Sequence, residues 1–449
     1  MIKKLTLLFL SVSLILFSIS YNTTIFYKNF KVNNVKSSIE YLSSTEFKGR
    51  LGGTLENSMV GTYLKSEFKK IGLSTFNNSY YHSFDTDCPK QVSGDPLLAI
   101  LDNNNKQIKK YSYGIDFKES MLNFDINKID FNMNNVSKIN ENFIEVKSND
   151  KLVLLYVPEE NDLSFRSSFF GRESKCSLWI DITKDCYTDL ITNLKSGNTV
   201  TVSIPYTIEN YTLNNVVGVI KGTNSSLPPL IISGHYDHVG SDLNGNIYSG
   251  ALDNASGTSF VLELARYIKT LGTPTRNIIF VLFNGEELGL KGSSAFVNDN
   301  IDLISKSRIY NFDMIGSDDG IPLCLTESEK GNSDDKLVCE IIKLCKDKNV
   351  NYNCLFENSS DHAPFGNMGL EAITLCDYDT TKIHTPEDTI QYIKDTAITR
   401  CFTVIQPQLI NEIYGNNPLY THPIIMLISC GILSIIFLTL YINRSNKIE

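Results

Sequence analysis

Residues 230–257 read LIISGHYDHVGSDLNGNIYSGALDNASG. The apolar run at 230–232 is bounded by a proline and a glycine, which is typical of a buried central strand in a sheet covered on both faces. His235 and Asp237 follow it directly, and Asp253 lies further along. Ligands of open α/β sheets bind beyond the carboxyl ends of the strands. The stretch therefore predicts a metal site at a strand end, although an isolated His-x-Asp pair is usually an ordinary polar loop.

Polar side chains also follow three later strand-like runs. NIIFVLF (277–283) leads to Glu286 and Glu287, RIYNF (308–312) leads to Asp313, and LEAITLCDY (370–378) precedes His384. Helical patterns are expected at about 255–271, 335–348 and 388–413. This alternation predicts an α/β fold, with a doubly wound mixed sheet flanked by helices.

Two imidazoles and three carboxylates thus come at predicted strand ends or in the loops after them: His235, Asp253, Glu287, Asp313 and His384. Such a set can hold two zinc ions, each with one histidine and one terminal carboxylate, while the third carboxylate bridges ions about 3.5–4 Å apart. Each motif alone has an ordinary structural explanation. Because four of the six histidines of the chain fall in these motifs, we predict a site for two Zn²⁺.

The composition argues against two classes of protein, those that bind nucleic acid and those built on a zinc ribbon. The chain has 449 residues and a formal net charge of −9, which makes nucleic acid an unsuitable partner. Its ten cysteines are irregularly spaced and contain no Cys-x-x-Cys motif, which argues against a zinc ribbon. The sequence gives no indication of an oligomeric state.

Both ends of the chain are apolar. Residues 1–20 combine Lys3 and Lys4 with an apolar run, as in a signal peptide or an N-terminal anchor. Residues 423–442 are uncharged and have no polar face, which predicts a transmembrane helix rather than a core helix. Since basic residues favour the cytoplasmic side, residues 443–449 would be a cytoplasmic tail. We expect a single-pass protein of the cell membrane, with the intervening chain on the extracellular side.

The chain between the two ends divides into a main domain and an insert. Residues 34–76 contain two helical patterns around a glycine-rich turn and are assigned, with 211–416, to the main domain. Residues 77–210 are rich in asparagine and in alternating stretches, which predicts a strand-rich inserted domain. No cluster in the insert indicates chemistry, so we expect it to be a lid, a spacer or a partner surface.

From about residue 211 to residue 400, the chain resembles the co-catalytic zinc aminopeptidases of peptidase family M28. The matching strings, in the order of the family, are SGHYDHVG, GALDNASG, FNGEELGLKGS, NFDMIG, SSDHAPFGNMG and IHTPEDT. The insert is loosely similar to a protease-associated domain. The resemblance implies a zinc aminopeptidase-like fold, peptide substrates and a catalytic domain outside the membrane.

The resemblance also implies residue roles. His235 and His384 would be terminal zinc ligands, Asp253 the bridge, Glu287 and Asp313 the remaining carboxylate ligands, and Glu286 the general base. A carboxylate that binds no metal can take the proton of the attacking water and pass it to the departing amine. The peptide bond between Asp253 and Asn254 is expected to be cis.

Three more residues are candidates for orienting a ligand or contacting substrate: Asp237, Asp361 and His362. Asp237 comes two residues after a ligand and can fix the tautomer of an imidazole, although a surface role fits equally well. A packed loop histidine explains His362 as well as a substrate contact does. His238 is given no role.

Two other classes share the implied fold. Receptor-like members have lost their metal ligands, whereas every ligand position is filled here. Single-zinc glutaminyl cyclases use tryptophans in their pocket, whereas the lone Trp179 lies in the insert. Among peptidases, a carboxypeptidase would need a cationic site, for which Lys291 and Lys382 are undecided candidates, so an aminopeptidase is preferred.

Overall fold

The computed structural model describes residues 2–318, 320–415 and 417–445. Its helices are α1 (Ile2–Phe26), α2 (Val32–Leu42), α3 (Leu55–Ile71), α4 (Lys184–Lys195), α5 (Gly257–Leu271), α6 (Lys291–Ile304), α7 (Lys336–Asp347), α8 (His362–Asn367), α9 (Asp395–Tyr414), α10 (Pro418–Thr421) and α11 (Pro423–Ser445).

The strands of the N-terminal half are β1 (Ser74–Thr75), β2 (Tyr81–Gln91), β3 (Leu97–Leu101), β4 (Gln107–Lys110), β5 (Phe117–Phe124), β6 (Lys128–Phe131), β7 (Val136–Ile139), β8 (Phe143–Ser148), β9 (Lys151–Tyr156), β10 (Leu178–Ile182), β11 (Thr199–Ser203) and β12 (Tyr206–Ile220). Those that follow are β13 (Leu230–His235), β14 (Ile278–Phe283), β15 (Arg308–Phe312), β16 (Leu323–Glu327), β17 (Tyr352–Phe356) and β18 (Glu371–Asp377).

The main domain is built on a large mixed sheet of order β1-β12-β14-β13-β15-β18-β16-β17, with β2 also paired to β12. Strands β14, β13, β15 and β18 are mutually parallel, whereas β12 and β16 run antiparallel to their neighbours in that block. The predicted mixed sheet is therefore confirmed. The carboxyl ends of the four parallel strands lie at one edge, where such sheets bind their ligands.

Helices cover both faces of this sheet. On β13, Ile232 belongs to the core shared with α2, α3, α5 and α9, whereas its neighbour Ile231 belongs to the core on the α6 and α8 side. Successive side chains of a strand point to opposite faces, so both faces of β13 are buried. This burial explains the uninterrupted apolar sequence of the central strands and confirms the predicted double winding.

Local sequence signals set the ends of α3. The side chain of Thr54 accepts a hydrogen bond from the Asn57 N–H and caps the first turn. The helix ends at Gly72, which has φ 83°, a conformation that costs glycine little. This places α3 against the large sheet, where Leu64 and Phe68 are buried.

The insert contains two smaller sheets, β5-β10-β9-β8-β7 and β4-β3-β11-β6. Both contribute to a separate apolar core that includes side chains of α4. Antiparallel strands β2 and β12 pair along residues 81–91 and 206–216, carrying the chain into and out of the insert. The predicted limits of 77 and 210 include most of this ribbon, which the large sheet shares.

The two terminal helices pack against each other in antiparallel orientation. Phe9 stacks on Phe437 with ring centroids 5.5 Å apart, and the hydroxyls of Ser434 and Ser13 are hydrogen-bonded at 3.0 Å. Both helices are long and apolar enough to cross a membrane. The single-pass prediction therefore requires that α1 be removed. Residues 446–449 of the predicted tail lie outside the described residues.

The predicted helix at 388–413 begins later than expected, at Asp395. The carboxylate of Asp388 accepts hydrogen bonds from the N–H groups of Leu252 and Asp253, at 2.8 and 3.0 Å. These bonds tie the segment before α9 to the loop after β13, so its first residues do not join the helix.

Candidate metal centre

The large sheet brings all five predicted ligands together. His235 ends β13, Glu287 follows β14 and Asp313 follows β15, while Asp253 and His384 come from the loops after β13 and β18. All five residues are buried. Side chains from positions up to 149 residues apart in the sequence therefore converge at one edge.

The five side chains form two groups that share Asp253. In the first, His384 Nε2 lies 3.1 Å from Asp253 Oδ2 and 3.1 Å from Glu287 Oε1. In the second, His235 Nε2 lies 3.5 Å from Asp253 Oδ1 and 3.4 Å from Asp313 Oδ1. We call these the His384 cluster and the His235 cluster. Asp253 presents one carboxylate oxygen to each of them.

This arrangement fits metal ions. Ligand atoms of a tetrahedral zinc ion with bonds of about 2.0–2.1 Å lie about 3.3–3.4 Å from one another, close to the separations in both clusters. Asp313 Oδ1 is buried and has no hydrogen-bond partner among the described residues. Buried carboxylate oxygens are rarely left unpaired, because their desolvation is costly. The donor set and the orphaned oxygen both favour cations here.

His238 also lies in the His384 cluster, although no role is predicted for it from the sequence motifs. The residue is fully buried, with Nδ1 3.0 Å from Glu287 Oε1 and 3.9 Å from Asp253 Oδ2. It is thus placed either to hold Glu287 or to bind metal beside it. Its position in HYDH, three residues after His235, was the available signal.

The adjacent glutamates have opposite environments. Burial raises the pKa of Glu286 well above its usual value, and Glu287 and other nearby carboxylates add to the rise. Burial also acts to raise the pKa of Glu287, but His384 and His238 outweigh it and hold that pKa well below its usual value. Glu286 lines the cavity beside both clusters. One carboxylate is therefore held within a cluster while the other faces open space.

The side chains of Asp237 and Asn254 form hydrogen bonds with the main chain of the segments that contain the site residues. The Asp237 carboxylate accepts hydrogen bonds from the N–H groups of Glu286 and Glu287, at 3.2 and 3.1 Å. It also lies 3.7 Å from His235 Nδ1. Asn254 donates to Phe312 O at 3.1 Å. The predicted cis peptide bond between Asp253 and Asn254 is confirmed.

The other two candidate residues lie in the scaffold. Asp361 is fully buried at the start of α8, and burial raises its pKa to about 7 despite the opposing charge of His235. His362 is also buried, with Nδ1 2.7 Å from Thr374 Oγ1 and Nε2 2.9 Å from Glu357 O. The structure thus packs His362 inside the domain, which agrees with the packed alternative for this residue.

The insert reaches the site, a contact that no sequence motif indicates. Arg166 exchanges two hydrogen bonds with His384, the Ser168 hydroxyl donates to Glu287 Oε2, and the exposed ring of Phe165 stacks on the imidazole of His384. These residues lie in SFRSSFFGR, which matches no pattern of metal or catalytic chemistry. Only the fold indicates their location.

Comparison with known proteins agrees with this geometry. Residues 215–407 match the model of peptidase family M28. The match covers less than half of the chain. Aminopeptidase YwaD from Bacillus subtilis is 32% identical to this chain over 197 residues, which are 41% of this chain and 41% of YwaD.

A vacuolar membrane protease from Clavispora lusitaniae is 32% identical over 120 residues, or 26% of this chain and 11% of that protein. This chain therefore matches less than half the length of either relative. Among solved structures, BSAP, a zinc aminopeptidase from Bacillus subtilis, has a TM-score of 0.60 at 18% identity, covering 87% of this chain and 98% of BSAP. At this identity, the similarity establishes the fold.

Proposed function

We propose that this chain is an aminopeptidase that uses two zinc ions to remove N-terminal residues from peptides. The observation that carries the proposal is the pair of buried clusters sharing Asp253, with Glu286 facing the cavity beside them. His384 and Glu287 would complete one zinc site, and His235 and Asp313 the other. The names of YwaD and BSAP agree with this activity and metal.

Glu286 is proposed as the general base. When bound, zinc would supply Lewis-acid polarisation of the peptide carbonyl and acidification of water. A carboxylate oxygen of Glu286 takes the proton of the attacking water and returns it to the departing amine nitrogen. Burial raises the pKa of Glu286, which makes its carboxylate a stronger base for taking the proton of water.

Observations on single residues disfavour the other classes. The lone tryptophan, Trp179, packs on Tyr156 within the insert, which removes the pocket tryptophans expected of a glutaminyl cyclase. Lys291 is paired with Glu173 and Lys382 lies over the ring of Tyr392, so each lysine of the carboxypeptidase alternative is already engaged. The filled ligand positions disfavour a receptor without metal.

One experiment tests these classes together. The full chain, purified in detergent, would be assayed for zinc content and for amino acids released from peptides with free and with acetylated N-termini. We expect about two zinc ions per chain and release only from free N-termini. Release from the acetylated peptides would indicate a carboxypeptidase, cyclisation of N-terminal glutamine without hydrolysis a cyclase, and a metal-free inactive protein a receptor.

We also propose that both terminal helices anchor the protein, with the peptidase domain on the extracellular side. The packing of α1 on α11 supports a two-helix anchor, and one relative is itself named a membrane protease. Truncation after Asn417 should leave the protein on the membrane through α1, whereas removal of residues 1–26 as well should release it. Loss of an N-terminal tag from the mature protein would instead show that α1 is a cleaved signal.

A further inference from the structure

A segment of the insert crosses to the metal centre. Residues 163–170, which we call the strap, lie between β9 and β10 of the insert. The strap leaves the five-stranded sheet and runs past the ends of the parallel strands of the main domain. There it contacts two residues of the His384 cluster.

The strap first holds the imidazole of His384. The Arg166 N–H donates to His384 O at 2.8 Å, and the Arg166 carbonyl lies 2.8 Å from His384 Nδ1. A carbonyl can only accept, so Nδ1 carries the proton, which leaves the lone pair of Nε2 for a metal ion held beside Asp253 and Glu287. His384 has φ 59°, an uncommon conformation for a residue with a side chain, which these bonds help to maintain.

The strap also forms hydrogen bonds with both the side chain and the main chain of Glu287. The Ser168 hydroxyl donates to Glu287 Oε2, the oxygen that does not face His384. The Phe169 N–H donates to the main-chain carbonyl of Glu287 at 2.7 Å. The carboxylate is thereby turned with Oε1 towards the His384 cluster.

Arg166 anchors the strap on both domains. Its guanidinium is fully buried and pairs with Glu119 of the insert at 2.7 Å. It also donates to the Tyr206 hydroxyl at 3.1 Å and to the carbonyl of Val239 at 2.9 Å, in the loop after β13. A side chain bound at three points has little freedom, so the position of the strap is well defined.

The His235 cluster is oriented from the main domain instead. The Ser360 hydroxyl donates to Asp313 Oδ2 at 2.7 Å, and Asn311 donates to Ser360 at 3.0 Å. His235 has Asp237 beside its Nδ1. The two clusters thus differ in which domain orients their ligands.

We infer that the strap is a positioning element of the site, which sets the metal affinity of the His384 cluster and leaves that of the His235 cluster unchanged. This inference rests on the proposed two-zinc function. Ser168 and Arg166 act through Glu287 and His384, and neither touches the substrate in this role. The insert is then required for a complete metal centre.

Zinc affinity tests the inference directly. The full chain in detergent would be stripped of metal and titrated with Zn²⁺ against a chromophoric chelator, which resolves two affinities. Ser168→Ala removes the hydroxyl that holds Glu287 and should weaken one site by about 10–100-fold. Ser168→Thr keeps the hydroxyl and should restore that affinity. Ser167→Ala is the matched control, because the Ser167 hydroxyl contacts Ser120 of the insert instead.

Repeating the titration in a variant that lacks one ligand of the His235 cluster identifies which of the two sites is affected. In His235→Ala, zinc binding reports on the His384 cluster, and Ser168→Ala should weaken it there as strongly as in the wild type. Unchanged affinities in Ser168→Ala, equal weakening of both sites, or the same effect from Ser167→Ala would each overturn the inference. Failure of the wild type to bind two zinc ions would instead overturn the proposed function.

Discussion

The ends of the large-sheet strands and the strap of the insert meet at the His384 cluster, yet they contribute different chemical groups. The strand ends supply imidazoles and carboxylates, which only a few residue types carry. The strap supplies a carbonyl and N–H groups, which nearly every residue carries, together with one hydroxyl. The proposed metal ligands and the groups that hydrogen-bond to them thus come from different parts of the chain.

The largest effect should come from the strand ends. Glu286→Gln should lower the turnover number by about 10²–10⁴-fold, because the amide cannot accept the proton of water. Zinc content should stay at the wild-type value, since Glu286 is assigned no metal. Turnover and bound zinc would be measured on the same preparation.

Glu287→Gln is the matched control for that substitution. It should weaken zinc binding, and excess zinc should restore part of its activity. If Glu286→Gln were the variant that lost zinc, or if it kept wild-type turnover, the two roles would be assigned the wrong way round.

In the strap, the largest effect should be on stability. Arg166→Met leaves Glu119 buried without its ion-pair partner and should lower the free energy of unfolding by about 3–5 kcal/mol. Adding Glu119→Gln should recover part of this loss, because the buried charge is removed. Denaturant unfolding of the detergent-solubilised protein would measure both variants, and a loss in Arg166→Met below about 1 kcal/mol would contradict the buried pairing.

The Glu287 carboxylate is contacted from both regions, by His238 of the main domain and by Ser168 of the insert. Substituting each partner in turn compares the two regions. His238→Gln should weaken zinc binding at the His384 cluster by about 10–100-fold, as expected for losing a partner of a ligand. Chelator competition would measure the zinc affinities of His238→Gln and Ser168→Ala and show which partner of Glu287 contributes more. A much larger loss would indicate that His238 is itself a metal ligand.

The smallest effect is expected for Phe165→Ala. Its ring is 51% exposed and stacks on the imidazole of His384 at 5.5 Å, a contact worth about 0.5–1.5 kcal/mol. Zinc affinity of the His384 cluster should fall by about 2–12-fold with little change in melting temperature. A loss as large as that of Ser168→Ala would show that the ring, rather than the hydrogen bonds, positions the cluster.

Most of the fold and the proposed ligand set could be predicted before the structure. The central strands are buried on both faces, so their sequences are continuously apolar, and the polar residues that follow them stand out. His235, Glu287 and Asp313 each follow such a run. Their grouping around Asp253 agrees with that prediction.

The errors arose where the chemistry of a residue did not indicate its location. From the sequence, His362 was a candidate with a packed alternative and His238 had no role, whereas in the structure His362 is hydrogen-bonded inside the domain and His238 lies beside Glu287. The start of α9 was misplaced because Asp388 bonds to a loop more than 130 residues away. Such long-range bonds leave no local periodicity.

The sequence by itself determined the strand and helix pattern of the main domain, the apolar ends and the chemical types of the site residues, because burial and ligand chemistry restrict which residues can stand at those positions. The tertiary structure alone decided that α1 packs on α11, that the strap reaches His384, and that Glu286 and Glu287 have opposite pKa shifts. Main-chain donors and acceptors are the same in nearly every residue, and the charges around a carboxylate depend on folded distances. Neither the hydrogen-bond partners of main-chain groups nor the charges around a carboxylate can be inferred without the folded structure.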